Sequence, residues 1–384
     1  MSVRKRTWKT ATGEAKEAWV VDYADQGGKR RLKTFKKKKE ADAYYSKTRV
    51  EIGQGVHVAD SASATIAEAA DLWLQSCSGL ERATVTAYKQ HVDIHIVPLM
   101  GREKLSQLSA PRIRAFEDRL RQDHSAAMVK KIISSLGALV GDAQECGLVA
   151  RNVVRDLRSR RKKGKEKQAE RRQKGKLKIG VDIPTRDEIR AIVENHKGRW
   201  RPIILTAIFT GLRASELRGL RWCDVDLDKR ELHVRQRADR YNEIGKPKSE
   251  SGERSVPFPP IVANTLKEWK LACPHGDLVF PTGAGTVETH SNIVKRGLAP
   301  AGVAAGVVDD AGKAKYTGLH SLRHFYASWC INRKADGGLE LPLKTVQSRL
   351  GHSTLAMTAD TYGHLFPRGD DRDELEAAER GLLG

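Results

Sequence analysis

Leu350-Gly-His352-Ser-Thr-Leu-Ala-Met-Thr-Ala-Asp-Thr-Tyr362-Gly-His364 is the segment that decides how this chain is classified. A single tyrosine usually packs into a hydrophobic core. Tyr362, however, follows a Gly-His pair and lies among small and polar residues, where its hydroxyl could reach a substrate. Tyrosine hydroxyls can act as nucleophiles that form covalent intermediates. The groups that would support such a nucleophile lie in three other segments of the C-terminal half.

The first supporting segment is Thr210-Gly-Leu-Arg213-Ala-Ser-Glu216-Leu. An arginine that follows a glycine at the start of a helix can be held rigidly. Residues three apart on a helix are neighbours, so Arg213 and Glu216 are expected to pair. Such a pair is more often structural than functional, and by itself this segment is a weak indication.

The second segment is Lys246-Pro-Lys248-Ser-Glu-Ser-Gly-Glu-Arg-Ser-Val-Pro257. The strand-like residues 231–235 precede it, and the strand-like residues 254–257 end it. This pattern predicts a hairpin with Lys248 near its tip. Most loop lysines are only solvated, and Lys246 remains an alternative to Lys248 as the functional lysine of the hairpin.

The third segment is His320-Ser-Leu-Arg323-His324. His320 and Arg323 are three apart and share a face of a predicted helix. His320 and His324 are four apart, which is the spacing of a helical zinc pair. That zinc motif needs a glutamate where Ser321 stands, so metal binding is not expected.

Together, the four segments supply the groups that phosphoryl transfer needs. Guanidinium groups bind non-bridging oxygens in a bidentate manner and stabilise the charge that develops there. A lysine or histidine can give a proton to the leaving oxygen. The sequence has no evident cluster of metal-binding carboxylates, so cationic side chains are expected to take the role of a metal ion, and no cofactor is predicted.

The segments around Arg213, Arg323, His352 and Tyr362 resemble the signature motifs of the tyrosine recombinases, the family of the phage-type integrases. The resemblance covers about residues 184–367, and the whole chain if the N-terminal part is counted. It implies that Arg213 and Arg323 clamp the scissile phosphate and that Tyr362 attacks it. It further implies Lys248 as the general acid, His320 as an aid to proton transfer from the tyrosine, His352 as a phosphate ligand and Glu216 as the residue that orients Arg213.

The charge of the chain points to a polyanionic partner. Its 384 residues carry a net charge of +21, with a pI of about 9.8, and nearly all of the excess lies in residues 1–50 and 158–178. A solvated basic surface is the alternative, but two concentrated segments favour contacts with DNA phosphates. The residues expected to make them are Arg30, Arg31, Lys33, Arg160, Arg161, Lys162 and Lys163.

The length of the chain predicts several domains. Residues 1–58 are expected to form a small α+β domain, whose three-stranded sheet and helix resemble the arm-binding domain of phage integrases. Residues 64–157 are predicted to form an all-α core-binding domain, and residues 158–183 a basic linker. Residues 184–384 are predicted to form a mainly α catalytic domain with a small antiparallel sheet and a C-terminal tail.

Local signals place several helices within these domains. Thr65-Ile-Ala-Glu68 and Thr185-Arg-Asp-Glu188 have the sequence of a capping box, which opens a helix. A helix from about residue 83 towards residue 95 is expected to stop before Pro98. The apolar residues between 125 and 146 have helical spacing, and Gly147 is expected to end that helix.

The resemblance implies a site-specific recombinase that cuts and rejoins DNA through a 3′-phosphotyrosyl intermediate, and that integrates and excises phage or mobile-element DNA. The expected partners are double-stranded DNA with core-type and arm-type sites, three further copies in a homotetramer, a host DNA-bending protein and a directionality factor. The sequence has no apolar segment typical of a secretory signal or a membrane span. Its five cysteines are scattered, which indicates reduced thiols in a cytosolic protein. The resemblance further implies a cytoplasmic, DNA-associated location in a bacterial host cell.

Two alternatives belong to other functional classes. A type IB topoisomerase-like enzyme would share the nucleophile but would not exchange strands between duplexes; the basic N-terminal sheet argues against it. A DNA-binding regulator with silent catalytic motifs would need no reactive groups. The presence of all six expected catalytic residues argues against a regulator.

Overall fold

A computed structural model of the chain describes residues 1–9, 15–161, 176–247, 249–366, 376 and 379–383. The chain divides into two compact units, residues 1–166 and 167–384. Lys162, Lys163 and Lys248, together with most of the C-terminal tail, lie outside the described residues. In the described ranges, no helix is long and apolar enough to cross a membrane.

The first unit begins with an antiparallel sheet of three strands in the order β1-β2-β3, followed by a helix. Val21 and Tyr23 of the central strand are buried and pack with Ala41 of the helix, while Asp22 and Ala24 are more exposed. Val20, on the other face, is also buried. Alternation from Val21 onwards is typical of a sheet that packs on one side. The elements are β1 (Ser2–Lys9), β2 (Ala15–Ala24), β3 (Arg30–Phe35) and α1 (Lys38–Gly53).

The register of this sheet separates two faces. Val3 pairs with Val21, and Val21 pairs with Lys33, so these residues lie on the face that α1 covers. The face opposite α1 holds the alternate residues, which include Arg4 and Arg30.

A helical segment completes the first unit. The predicted capping box is present, because the Glu68 backbone N–H donates to Thr65 Oγ1 (3.2 Å) and the Thr65 N–H donates to Glu68 Oε2 (2.8 Å). Gly147 follows the longest helix with a φ of 72°, the left-handed conformation expected after a helix end. The helices are α2 (Ile66–Ser76), α3 (Arg82–His91), α4 (Val97–Met100), α5 (Ala110–Asp123), α6 (Ala126–Glu145) and α7 (Val153–Arg161).

The expectation that Pro98 ends the helix after residue 83 was wrong. Residues Val92–Ile96 form a π-helical segment, in which the Val97 N–H donates to the Val92 carbonyl five residues earlier. The helix then continues through Pro98 to Met100. Proline disrupts an α-helix because it lacks an N–H and its ring meets the carbonyl four residues earlier. The wider π turn before Pro98 changes that local geometry, so the helix can continue.

The second unit combines helices with a small antiparallel sheet in the order β4-β5-β8. Its helices are α8 (Arg186–Asn195), α9 (Arg201–Thr210), α10 (Ala214–Gly219), α11 (Pro260–Ala272), α12 (His290–Asn292), α13 (Ala299–Ala304), α14 (Leu319–Ile331), α15 (Leu343–Leu350) and α16 (Leu355–Tyr362). Its strands are β4 (Val225–Asp226), β5 (Glu231–Val234), β6 (Arg237–Ala238), β7 (Ile244–Gly245) and β8 (Arg254–Pro257).

Helix α9 lies at the centre of this unit. Eight of its ten residues are buried, as expected for a helix that is apolar on all sides. It packs against α14 and ends at Gly211, whose φ of 61° is left-handed. The chain therefore turns sharply just before Arg213, while α14 brings Arg323 to the same end of α9.

The predicted hairpin is present but is longer than a simple two-stranded turn. Strands β5 and β8 pair through Leu232 and Val256. The connection between them contains a second ribbon, in which β6 pairs with β7. Short strands of two residues give little periodic signal, so the sequence did not indicate this ribbon.

We predict that Gly211→Ala lowers the free energy of unfolding by about 3 kcal/mol. The left-handed φ disfavours any other residue, and an added Cβ would lie 2.4 Å from Cδ1 of Tyr326. Urea unfolding would measure the change. Gly245→Ala is the matched control, since an added Cβ there meets nothing within 4 Å; equal losses for the two variants would contradict the prediction.

Candidate active site

Three arginines from distant parts of the sequence meet at the C-terminal end of α15. Arg254 Nε donates to the Arg349 carbonyl (2.7 Å), Arg323 Nη2 to the Leu350 carbonyl (2.5 Å) and Arg213 Nη2 to the Gly351 carbonyl (3.0 Å). The last carbonyls of a helix have no partner within the helix and carry the negative end of its dipole. Cationic donors are therefore favoured at this position.

Arg323 is the most deeply buried of the three, with 1% of its surface exposed. Its Nη1 also donates to the Gly211 carbonyl (2.7 Å), which fixes the guanidinium between α9 and α15. Burial, followed by the charge of Arg213, lowers the pKa of Arg323 to about 10. The group still carries its charge at neutral pH, and an anion that reached it would be bound strongly in this poorly solvated position.

Arg213 precedes α10 and pairs with Glu216, as predicted. Its Nη1 donates to Glu216 Oε1 (2.8 Å), and its backbone N–H donates to Glu216 Oε2 (2.8 Å). About a third of the Arg213 side chain is exposed. Arg213 is thus anchored on one side and accessible on the other, which suits a ligand for an incoming phosphate.

Tyr362 is the last residue of α16, and it is 1% exposed. Its hydroxyl lies 2.8 Å from His324 Nδ1. Burial raises the pKa of Tyr362 to about 12, although the charges of Arg323 and Arg213 oppose the rise. Burial, with contributions from His320 and Arg323, lowers the pKa of His324 to about 4. Near neutral pH a protonated tyrosine therefore faces a neutral histidine that can accept a proton.

His320 and His352 lie around this pair. The ring of His320 meets His324 edge to face, with centroids 4.5 Å apart. The ring of His352 is parallel to Tyr362, with centroids 6.3 Å apart, and His352 Nδ1 lies 3.0 Å from Thr358 Oγ1. The structure thus brings together Arg213, Glu216, His320, Arg323, His352 and Tyr362.

The basic residues predicted in the first unit have different surroundings. Arg30 lies opposite the α1 face of the sheet, and its Nε donates to Asp22 (2.9 Å). Arg31 and Lys33 lie on the α1 side, where Arg31 pairs with Asp25 (2.8 Å) and Lys33 with Asp60. Arg160 and Arg161 are the last described residues of α7.

Two residues of the site were not predicted as functional. The sequence presents His324 only as one half of a helical pair with the spacing of zinc ligands, although its position one helical turn after His320 places it on the same face. Arg254 belongs to the strand-like residues 254–257, and nothing in the local sequence marks it as functional. Its side chain bonds to Glu216 through two nitrogens, a contact between residues 38 positions apart that no local pattern indicates.

Comparison with known proteins agrees with this architecture. Residues 184–368 match the model of the Phage integrase family. The Tyrosine recombinase XerC-like protein of Caldanaerobacter subterraneus subsp. tengcongensis is 28% identical over 378 residues, which is 90% of each chain.

Solved structures with the same fold include two integrases. The Tn1549 transposon integrase in complex with a circular intermediate DNA has a TM-score of 0.64 and 17% identity, over 83% of this chain and 99% of that one. The lambda integrase tetramer bound to a Holliday junction has a TM-score of 0.55 and 17% identity, over 91% and 95%. The predicted multidomain fold class is confirmed.

The family model and the tyrosine recombinase relative support an enzyme of DNA recombination, a site-specific recombinase. Residues 184–368, which hold the candidate site, match the Phage integrase family, and the comparisons support a tyrosine recombinase. This confirms the family that the sequence motifs resemble. The domain boundaries and the roles of individual residues remain predictions.

We predict that the second unit loses stability as the pH falls from about 6.5 to about 4. Burial lowers the pKa of His324 and of His352 to about 4. A lowered histidine pKa favours the neutral form in the folded state, so its stabilising effect is complete above the unfolded pKa and disappears as the pH approaches the folded one. The loss should be on the order of 1–3 kcal/mol.

Urea unfolding would measure this loss at about pH 7 and about pH 5. The readout is hydrogen exchange of the backbone amides of Leu319–Ile331, which lie in the second unit. His352→Gln should make the loss smaller. His275→Gln changes an exposed histidine of the same unit and should leave the loss as it is. A loss that is the same in all three proteins would show that His352 is not its source.

Proposed function

We propose that Tyr362 attacks a backbone phosphate of DNA and forms a 3′-phosphotyrosyl link. The hydrogen bond between its hydroxyl and His324, next to two arginines, is the observation that carries this proposal. The new bond joins Tyr362 Oη to phosphorus, and the bond from phosphorus to the 5′ oxygen breaks. A 5′-hydroxyl from a partner duplex then attacks the link and releases the tyrosine, so no external energy source is required.

The arginines provide the charge that this reaction needs. Arg213 and Arg323 would bind the non-bridging oxygens, where negative charge develops in the transition state. Both guanidiniums are already held by carbonyls at the end of α15, so little reorganisation is needed when phosphate arrives. His352, parallel to the Tyr362 ring, would donate a further hydrogen bond to the phosphate.

Histidines and a lysine would move the protons. His324 would accept the proton of Tyr362, since its Nδ1 lies 2.8 Å from the hydroxyl and the group is neutral. His320, in contact with His324, would assist this transfer. Lys248 would give a proton to the leaving 5′ oxygen; its assignment is based on the resemblance of the hairpin sequence to the family.

The wider function would be the integration and excision of phage or mobile-element DNA. Relatives of this fold have been solved with DNA, one of them as a tetramer on a Holliday junction. By that likeness, residues 64–157 and 184–384 would bind core-type sites, and four protomers would act together. The N-terminal sheet of residues 1–58 would bind arm-type sites, with a host DNA-bending protein and a directionality factor as further partners.

We predict that wild-type protein forms a covalent adduct with a nicked duplex, made from the DNA that flanks the gene, and that Tyr362→Phe does not. The adduct should appear as a slower band on a denaturing gel with EDTA present. Tyr326→Phe is the matched control, because this buried tyrosine of α14 lies in the same unit and does not hydrogen-bond His324.

An adduct from Tyr362→Phe would place the nucleophile elsewhere. Intact DNA binding without any adduct from the wild type would favour the silent regulator. Relaxation of supercoiled DNA without strand transfer between two duplexes would favour the topoisomerase-like alternative.

The face of the N-terminal sheet opposite α1 is the better surface for DNA. Asp22 on this face is shared by Arg4 and Arg30, whose side chains are 55% and 68% exposed, so positive charge remains. Arg31 and Lys33, on the α1 side, would have to exchange their carboxylate partners for phosphates. Arg30 is therefore expected to contribute more to DNA binding than Lys33.

We predict that Arg30→Ala lowers the slope of log affinity against log salt by about one, as expected for a lost phosphate contact. Fluorescence anisotropy of full-length protein on duplex DNA would measure it at several salt concentrations. Lys33→Ala serves as the comparison and should change the slope less. An equal change in both variants would contradict the assignment of the DNA-binding face.

A further inference from the structure

Arg254 is a buried arginine that contacts protein groups on every side. It is the first residue of β8, and 4% of its side chain is exposed. Nε donates to the Arg349 carbonyl (2.7 Å), Nη1 to the Gly252 carbonyl (2.9 Å) and to Glu216 Oε1 (3.2 Å), and Nη2 to Glu216 Oε2 (2.8 Å). Most of the donors of an arginine are thus in use. Arg254 is therefore not itself a ligand for phosphate.

Glu216 is shared between two arginines. Its 3% exposed carboxylate accepts from both terminal nitrogens of Arg254, and also from the side chain and the backbone of Arg213. Burial would raise the pKa of Glu216, but the hydrogen bond and charge of Arg254 and the charge of Arg213 outweigh it and lower the pKa to about 2. This carboxylate is ionised, and two positive charges balance its one negative charge.

We infer that Arg254 is a positioning residue: it balances the negative charge of Glu216, so that Arg213 keeps its outer N–H groups for the phosphate. The inference rests on the proposed function, in which Arg213 binds the scissile phosphate. With Arg254 in place, Glu216 anchors Arg213 through one terminal nitrogen and leaves the other on the Gly351 carbonyl.

Without Arg254, Glu216 would lose one of its two cationic partners. A buried carboxylate is unfavourable unless it is fully paired. Without Arg254 its remaining cation is Arg213, and carboxylates bind guanidinium groups most strongly through two parallel hydrogen bonds. Arg213 would turn towards Glu216, leave the Gly351 carbonyl and lose much of its affinity for phosphate.

Arg254 also fixes the turn that leads to His352. An added Cβ at Gly351 would lie 2.8 Å from Arg254 Nη1 and 2.9 Å from the Ser251 carbonyl, and Gly351 has a left-handed φ of 61°. The turn thus packs directly against the Arg254 guanidinium. One buried side chain positions both Arg213 and the residue before His352.

A double-mutant cycle on a nicked duplex from the flanking DNA would test this inference with full-length protein. The variants are Arg254→Met, Glu216→Gln and the double variant. Arg254→Met should cleave at least about 100-fold more slowly than wild type in a single turnover, the size of effect seen when a transition-state donor is lost. Its Kd for the duplex should change much less, since many other phosphate contacts remain.

The decisive measurement is rescue by the second substitution. Glu216→Gln removes the negative charge that captures Arg213, so the double variant should cleave at least about tenfold faster than Arg254→Met alone. Removal of the unpaired carboxylate would also relieve a loss of stability, so the free energy of unfolding of each variant is measured in parallel. A merely structural role for Arg254 predicts that the single-turnover rates, once corrected for the folded fraction, are equal in all variants. A double variant as slow as the product of the single effects, or an Arg254→Met variant with the wild-type rate, would overturn the inference.

Controls separate this inference from folding and from the proposed function. Arg221→Met removes an arginine that pairs with Asp224 in the same unit, and it should cleave like wild type because Arg235 also pairs with Asp224. If Arg254→Met does not fold, as judged by thermal unfolding, Arg254→Gln tests the same expectations with two N–H donors retained. Absence of an adduct from wild type would contradict the proposed function, whereas a wild-type adduct without rescue would contradict only the role of Arg254.

Discussion

The C-terminal end of α15 is the feature on which the arrangement of the candidate site depends. Three consecutive carbonyls, those of Arg349, Leu350 and Gly351, accept hydrogen bonds from Arg254, Arg323 and Arg213. Three like charges repel one another, and burial makes their repulsion stronger. The dipole of the helix and the carboxylate of Glu216 offset this repulsion. Unlike a side chain, these backbone carbonyls neither take up a proton near neutral pH nor rotate away from the arginines. The three arginines therefore keep their hydrogen-bond acceptors without substrate.

The surrounding fold is constrained by this cluster. Gly211 takes a left-handed conformation where its carbonyl accepts from Arg323 and an added Cβ would meet Tyr326, and Gly351 does so where an added Cβ would meet Arg254. Each glycine lies at the end of a helix whose last turn touches the cluster. The two helix ends, α9 and α15, are thus held together by one arginine of α14, and the helices of the second unit that carry the site pack as one set.

Much of this could be predicted from the sequence, since some signals are local. The two capping boxes predicted where two helices begin, and the motifs around Arg213, Arg323 and Tyr362 indicated the family. The partner of Tyr362 could not be predicted, because His320 and His324 share one helical face and only the packing of α16 on α14 selects between them. The role of Arg254 depends on residues 38 and 95 positions away. The helix end predicted before Pro98 was wrong because proline usually ends a helix, whereas the π turn that lets this helix continue depends on the surrounding structure and not on a local sequence signal.

The charges of the site also bear on how Tyr362 would be activated. Arg323 and Arg213 lower the pKa of Tyr362, but burial raises it further, to about 12. A phosphodiester bound by the two arginines would cancel part of their effect, so substrate binding makes a free tyrosinate less favourable, not more. Proton transfer to a neutral histidine during the attack avoids that intermediate. The lowered pKa of His324 keeps its ring neutral in the absence of DNA, and the negative charge of a nearby phosphate would raise that pKa, so in the proposed reaction His324 would become a better proton acceptor when DNA binds.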